Sequence, residues 1–470
     1  MNEPTFLFYD LETTGLNRPY DRIMQFAAQR TNMKLEPIGD PFNIVVALTD
    51  EILPNPQAIL TTGITPQYSR REGITEAEFV KRVHAEAFTP GTIVVGFNSV
   101  RFDDDFMRFC FYRNFYDPYE WSWLDGRSRW DLLDCIRMTR ALRPEGIEWP
   151  VSKDGKPVNK LELITQLNGI SHEQAHDALS DVTATIEVAR ILRDKQPDLF
   201  NFLLKLRDKK EVAKIVDINN PKPFVYSSGS FGSEFEFTSV CVPFGLPDSQ
   251  GRIKVYDLRY DPTEFTDLSE SDLKKKLHAP WEERKAEGFV RFPAKQVALN
   301  KCPAVAPIGV LRHEDQERIQ LDIETIQRHW ELFKSSGLDE KLSVSMGREE
   351  FPKSEDVDLA LYDGFFGPGD KSEIMAVRNA TKLTIGRLAP RFSDPRLPEL
   401  FLRYKARNMP EALTEAEMAE WQAYRVKRIV ADLPAFSSSM EKCADNASER
   451  ELSLLEDLKL WAQSIIPEAD

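Results

Sequence analysis

Two carboxylates, Asp10 and Glu12, stand two residues apart behind the apolar run Phe6-Leu7-Phe8-Tyr9. Such a run reads as a strand buried on both faces, and residues i and i+2 of a strand share a face. Two carboxylates on one buried face are costly unless a cation lies between them. The alternative is that the strand ends early and both acids already stand in the loop before Thr13-Thr14-Gly15. Asp103 follows a second strand-like run, Thr92 to Phe97, through Asn98-Ser99-Val100-Arg101-Phe102. It begins a predicted helix with Phe102, Phe106, Phe109 and Cys110 as its apolar face, and taken alone it reads as a cap. Asp181 lies on a helix predicted over Asp177 to Arg193, with Asp177 as N-cap and Leu179, Val182, Ile186 and Ala189 as its apolar stripe. Its own face carries Ala178, Ala184, Thr185 and Val188, mostly small, which lets the helix approach a sheet closely. His176 stands just before the cap.

Acids of this kind are hard oxygen ligands, suited to Mg²⁺ that keeps some waters and takes substrate phosphate as a further ligand. Two such ions ~3.5–4 Å apart stabilise both the attacking and the leaving oxygen of a phosphodiester. A neutral imidazole can take the proton of the attacking water near neutral pH. A competing motif overlaps the last part of this set: His172-Glu173-Gln174-Ala175-His176 is a literal H-E-x-x-H, the zinc-protease signature. That reading needs one continuous helix, whereas Gly169 precedes the pentapeptide and the cap Asp177 follows it. It also leaves Asp10, Glu12 and Asp103 unexplained, so His172 is read as an exposed loop residue.

The elements that must position these side chains alternate between strand and helix over the first ~195 residues, an α/β pattern. After Gln196-Pro197 the texture changes. Phe235 to Val242 and Ile253 to Leu258 read as short strands, and Ser269 to Leu277 and Ile323 to Phe333 as helices. From Pro352 the chain reads as helical almost throughout, ending in Arg450 to Ile466. The expected domains are 1–196, 197–350 and 353–470. No apolar run approaches the ~18 residues of a membrane span, and no signal peptide is visible at the start. The five cysteines are scattered without a C-x-x-C pair, which fits a reducing, cytoplasmic setting. The net charge of −15 sits badly with a nucleic-acid partner unless the charge is unevenly distributed.

Between Arg101 and Trp130 the chain interleaves cations and aromatics: Arg108, Arg113, Phe115, Tyr116, Tyr119, Trp121, Trp123, Arg127, Arg129 and Trp130. Bases stacking on aromatics, with cations tracking the backbone, is how single strands are held without sequence readout. About half of these rings are expected in the core, and Tyr119 and Trp123 are the best stacking candidates. Arg137 and Lys160 are further cations. Lys160 opens the helix Leu161-Glu162-Leu163-Ile164, where the helix dipole disfavours it. A nearby anion or a plain surface position explains it equally.

In their order, D-x-E on a first strand, F-D after a later one and H-x-x-x-x-D at a late helix resemble the DEDDh exonucleases of the ribonuclease-H-like fold. A closer likeness covers essentially the whole chain. Phe111 to Tyr119, Trp121-Ser122-Trp123, Arg129 to Asp134, Ala141 to Ile147, Leu361 to Phe366 and Arg403 to Asn408 resemble the bacterial exonuclease I family. That resemblance implies a DEDDh exonuclease domain, an SH3-like β-barrel domain and an all-helical C-terminal domain closing a passage around a DNA strand. It implies a processive 3′→5′ exonuclease that degrades single-stranded DNA to 5′-mononucleotides in DNA repair and recombination.

It also implies that Asp10, Glu12 and Asp181 ligate two Mg²⁺ ions (Mn²⁺ being a substitute), that Asp103 completes the acidic set and that His176 is the base. Glu12, Lys160, Arg108, Tyr119, Trp123 and Arg137 would touch the substrate, and Gly229 and Gly232 would let the backbone approach it. Lys160 stands where the family can have arginine, which puts a bidentate phosphate contact in doubt. The implied partner is the acidic C-terminal tail of single-strand DNA-binding protein, with Arg143 and the Arg312–Arg318 region as candidate receivers. No membrane partner is expected, and the protein is expected to be a monomer. The resemblance, and not composition, points to DNA over RNA. Rival readings are a DEDDh nuclease for short RNA or proofreading, against which the extra ~270 residues argue, and a scaffold with a decayed site, against which all five site residues argue. Because those five precede residue 182, residues 197–470 are expected to hold the strand and not to cut it, with Lys301 and Arg403 to Asn408 among the contacts.

Overall fold

The computed structural model describes residues 3–171, 177–280, 283, 292–345 and 353–466. It divides into two compact units, Met1–Ser128 with His172–Thr183 and Pro352–Asp470, and Arg129–Ser171 with Ala184–Phe351.

In the first unit, β1 (Thr5–Thr13), β2 (Ile23–Thr31), β3 (Phe42–Val45) and β4 (Thr92–Gly96) lie in the order β3-β2-β1-β4. β1 runs antiparallel to β2 and parallel to β4. The strand does not end early: it carries both acids, with Asp10 opposite Ala27 and Glu12 opposite Gln25, and a bulge only after Glu12. Period-two alternation sends Leu7, Tyr9 and Leu11 into a core with Phe79 and Val80 of the helix Glu76–Arg82 and Phe106, Met107 and Phe111 of the helix Asp103–Arg113. Asp10 and Glu12 therefore share the other face.

Residues 353–466 contain helices and no strand among the described residues. The longest, Glu415–Ala444 and Glu449–Ile465, start on capping boxes, Thr414 with Glu417 and Ser448 with Glu451. This segment shares two cores with the start of the chain. Val357, Leu397, Leu400 and Tyr404 pack on Phe109, Tyr112 and Phe115. Ile429, Leu458, Trp461 and Ile465 pack on Met24, Leu48, Ile52 and Ile59. At roughly 1.5–3 kcal/mol per large apolar side chain buried, the segment is integral to the unit that holds β1.

The run Arg403 to Asn408, expected among the strand contacts, is spent on ion pairs within the fold. It forms the end of the helix Leu397–Asn408 and is buried. Arg403 bonds to Asp356, Asp358 and Glu399, Lys405 to Glu417, and Arg407 to Glu51 (2.9 Å) and, with both terminal nitrogens, to Asp358 (2.9 and 2.5 Å). Asn408 accepts from the Ala77 N–H at 2.9 Å. In sequence these cations look available; apart from Glu399 and Glu417, their acidic partners lie more than forty residues away along the chain.

β5 (Ser128–Asp131) leads into the second unit, which contains a five-stranded antiparallel sheet of β6 (Phe224–Ser227), β7 (Thr238–Phe244), β8 (Arg252–Asp257), β9 (Ala294–Ala298) and β10 (Ala304–Pro307), in the order β10-β6-β7-β8-β9. The expected strand from Phe235 starts three residues later. Ser233–Phe235 forms a 3₁₀ turn, and Glu236 and Phe237 follow with φ of 52° and 54°, a left-handed pair that no strand accommodates. The helices predicted near Ser269 and Ile323 are present as Glu270–His278 and Ile323–Ser335. Among the described residues, no helix is long and apolar enough to cross a membrane. All five cysteines are free thiols.

Candidate active site

β1 supplies two acids and the helix Ala178–Lys195 the third: one ligand oxygen from each of Asp10, Glu12 and Asp181 lies within 4.8 Å of the others. The helix starts where the sequence predicts, because the Asp177 carboxylate accepts the Ser180 N–H at 3.1 Å. Ala178, Ala184 and Thr185 are buried, consistent with a small-residue face that comes close to its neighbours. Asp103 is buried at the first position of its helix, outside the cluster of three. That helix is tied to β1 by the Tyr9 hydroxyl, which donates to Asp104 at 2.6 Å. Asp104 and Asp105 also ion-pair with Arg108. Sequence reading passed over Asp104 and Tyr9, although three consecutive acids at a helix start favour that end of the dipole. His172 and His176 lie outside the described residues.

Three carboxylates this close repel one another. Burial pushes the Glu12 carboxyl up to about 9, with Asp10, Asp181 and Asp177 adding to it. Asp10 is raised well above the ordinary carboxylate range, first by burial and then by Asp181. Asp177, expected only as a cap, thus contributes to the site's negative field. An all-oxygen donor set that repels itself fits a hard divalent cation, which would replace proton uptake as the source of neutrality.

Three family models match the chain: Exonuclease over residues 7–189, Exonuclease I SH3-like domain over 207–345 and Exonuclease I C-terminal domain over 355–465. Exodeoxyribonuclease I of Haemophilus influenzae is 38% identical over 461 residues, 97% of each chain. The chain belongs to the exonuclease I family. Among solved structures of that family, Escherichia coli exonuclease I in complex with a dA16 oligonucleotide superposes with a TM-score of 0.94 at 36% identity, covering 99% of this chain and 100% of that one. The zinc-ion-bound form of the E. coli enzyme with single-stranded DNA superposes at 0.93, again at 36% identity and with the same coverage. The fold is thus the family's exonuclease domain, SH3-like domain and helical C-terminal domain.

In this exonuclease I relative the cationic–aromatic run is largely spent on folding. Trp121, Trp130, Phe111 and Phe115 are core, and Arg113 is buried against Glu76 at 2.7 Å. Arg127 and Arg129 donate to the backbone oxygens of Phe88 and Asn300. Trp123, by contrast, is 61% exposed. Tyr119 is half-buried, with the Arg108 guanidinium 5.6 Å over its ring and Phe365 edge-on at 5.8 Å. In the second unit Arg137 pairs with Asp134 at 2.5 Å and lies over Phe237, and Lys160 is the exposed N-cap of the helix Leu161–Leu167. A Cβ at Gly229 would stand 2.9 Å from the Arg137 guanidinium, so this glycine makes room for that side chain. At Gly232 the near neighbour is the Glu234 carboxylate.

Proposed function

We propose that the protein is a metal-dependent 3′→5′ exonuclease acting processively on single-stranded DNA and releasing 5′-mononucleotides, in DNA repair and recombination. The observation that carries this reading is the convergence of Asp10, Glu12 and Asp181 within 4.8 Å, in a chain of the exonuclease I family. The cation we assign is Mg²⁺, two per site, with Mn²⁺ as a substitute. When bound it supplies charge neutralisation at the phosphate and an acidified water. Asp10, Glu12 and Asp181 hold it, Asp103 at its helix start completes the acidic set, and His176 accepts the proton of the attacking water. Glu12 also touches the substrate. Tyr119 and Trp123 stack on bases, while Lys160, Arg108 and Arg137 meet phosphates.

The reading extends to a monomeric, cytoplasmic protein that receives the acidic tail of single-strand DNA-binding protein. Arg143, Arg312 and Arg318 support that part of it: all three gather on the buried Asp315, at 2.8, 3.0 and 3.1 Å. Arg312 also meets Glu145, which leaves three guanidinium charges against two carboxylates. The test is an oligonucleotide labelled at its 5′ end, incubated with Mg²⁺ or with chelator. A ladder shortening from the 3′ end, in Mg²⁺ only, is expected. Release of the label as the first product would refute the direction, and cutting in chelator the metal.

A further inference from the structure

The loop that follows the two site carboxylates is held by the C-terminal helical segment. Residues 14–22 close the β1–β2 hairpin: the Thr14 N–H donates to the Arg22 carbonyl, and the Arg22 N–H to Thr14 Oγ1, both at 2.9 Å. Inside the loop, Asp21 accepts from Thr14 Oγ1 at 2.9 Å and from the Asn17 N–H at 2.8 Å. Gly15 passes so near that a Cβ there would lie 2.4 Å from the Asp21 carboxylate. A loop cross-linked in this way moves as a piece, so a displacement at Tyr20 or Arg22 reaches Thr14 and, two residues back, Glu12.

Its far end is gripped by two guanidinium groups. The Tyr20 carbonyl accepts from Arg22 Nη1 and from Arg428 Nη2, each at 2.7 Å, and the Arg428 guanidinium lies 4.1 Å over the Tyr20 ring. Arg428 comes from the helix Glu415–Ala444 and is buried. Its Nη1 donates to the Tyr424 hydroxyl at 3.1 Å, and that hydroxyl donates to Asp358 at 3.2 Å. Arg22 Nη2 in turn lies 3.7 Å from both Asp358 and Glu51. Charge-assisted bonds in a buried setting are strong and directional.

We propose that Arg428 is a positioning residue for the metal site, acting on Glu12 through the Tyr20 carbonyl and the loop 14–22. The C-terminal segment would then belong to the metal site's support as well as to strand holding. This rests on the metal-dependent reading above. Groups that orient metal ligands from behind are typically worth ~10–100-fold in metal affinity or activity. Acting through a backbone loop, Arg428 is expected at the lower end, about 10-fold.

The test uses the full chain and two readouts: Mn²⁺ affinity of the metal-free protein by titration calorimetry, with Asp10→Ala as the blank, and the metal concentration for half-maximal hydrolysis. Arg428→Met should weaken both about 10-fold, and Arg428→Lys, which keeps a charged donor for the carbonyl, should recover part of the loss. Tyr20→Ala keeps the carbonyl, removes the ring under the guanidinium and should shift both in the same direction; it carries the test if Arg428→Met does not fold. Arg425→Met is the control, because Arg425 on the same helix donates to Asp50 and Ile465 carbonyls at 3.2 and 3.3 Å. Unchanged Mn²⁺ affinity in Arg428→Met and Tyr20→Ala, or an equal loss in Arg425→Met, overturns the proposal. A wild-type protein that binds Mn²⁺ but does not cut single-stranded DNA would overturn the nuclease reading instead and leave the affinity comparison valid.

Discussion

Replacing Glu12 with glutamine should stabilise the metal-free protein while destroying its response to metal. Burial and the neighbouring Asp10, Asp181 and Asp177 push the Glu12 carboxyl up to about 9, from an ordinary 4.5. The folded value lies above the unfolded one, so between these limits the folded chain holds a proton that the unfolded chain releases. The group's contribution to stability is therefore complete below pH 4.5 and is lost as pH rises toward 9. At pH 7.5 the loss amounts to about 3 pH units at 1.36 kcal/mol each, roughly 4 kcal/mol. Relaxation and water penetration around a buried charge leave only part of that penalty, so about 2 kcal/mol is expected to be recoverable.

Glutamine is a neutral isostere that never gives up a proton, so Glu12→Gln should recover this amount in chelator. At ~2–4 °C per kcal/mol for a unit of this size, the melting temperature should rise by about 4–8 °C. The assay is thermal unfolding of both proteins in chelator from pH 5 to 9, then in Mg²⁺. The difference between them should be near zero at pH 5 and widen toward pH 9. Mg²⁺ should raise the wild-type melting temperature and leave that of Glu12→Gln unchanged. A variant that melts at or below the wild type in chelator at pH 8 would refute the idea of one self-repelling acidic unit.

Asp10→Ala should abolish hydrolysis in Mg²⁺ while single-strand binding, measured by fluorescence anisotropy, survives, since a lost metal ligand acts on the transition state. His176→Ala should lower the single-turnover rate by ~10²–10⁴; loss of a tightly bound zinc ion in this variant would revive the H-E-x-x-H reading. Trp123→Ala should weaken single-strand binding by ~1–3 kcal/mol without lowering the melting temperature, because the ring is exposed; lost stability with unchanged affinity would assign it to packing. Arg407→Met should cost ~3–5 kcal/mol in denaturant unfolding, because it leaves Glu51 and Asp358 short of a buried partner.

The chain by itself determined the parts that depend on neighbours in sequence. An apolar run with acids at i and i+2 places Asp10 and Glu12 on one face of β1, and an Asp before a small-residue stripe starts the helix of Asp181 at Ala178. The local reading of Asp103 as a helix start held for the same reason. Only the tertiary structure decided what the cations do. Arg113, Arg403 and Arg407 sit in basic or aromatic surroundings in sequence, yet each is buried against a carboxylate remote along the chain. A charge that costs several kcal/mol to desolvate cannot be placed without knowing its partner. The same applies to the last hundred residues. The segment reads as helical from its sequence, but that its helices bury Arg428 on the Tyr20 carbonyl and pack Trp461 on Met24 and Ile52 depends on contacts more than 400 residues apart along the chain. No local pattern encodes contacts at such separation.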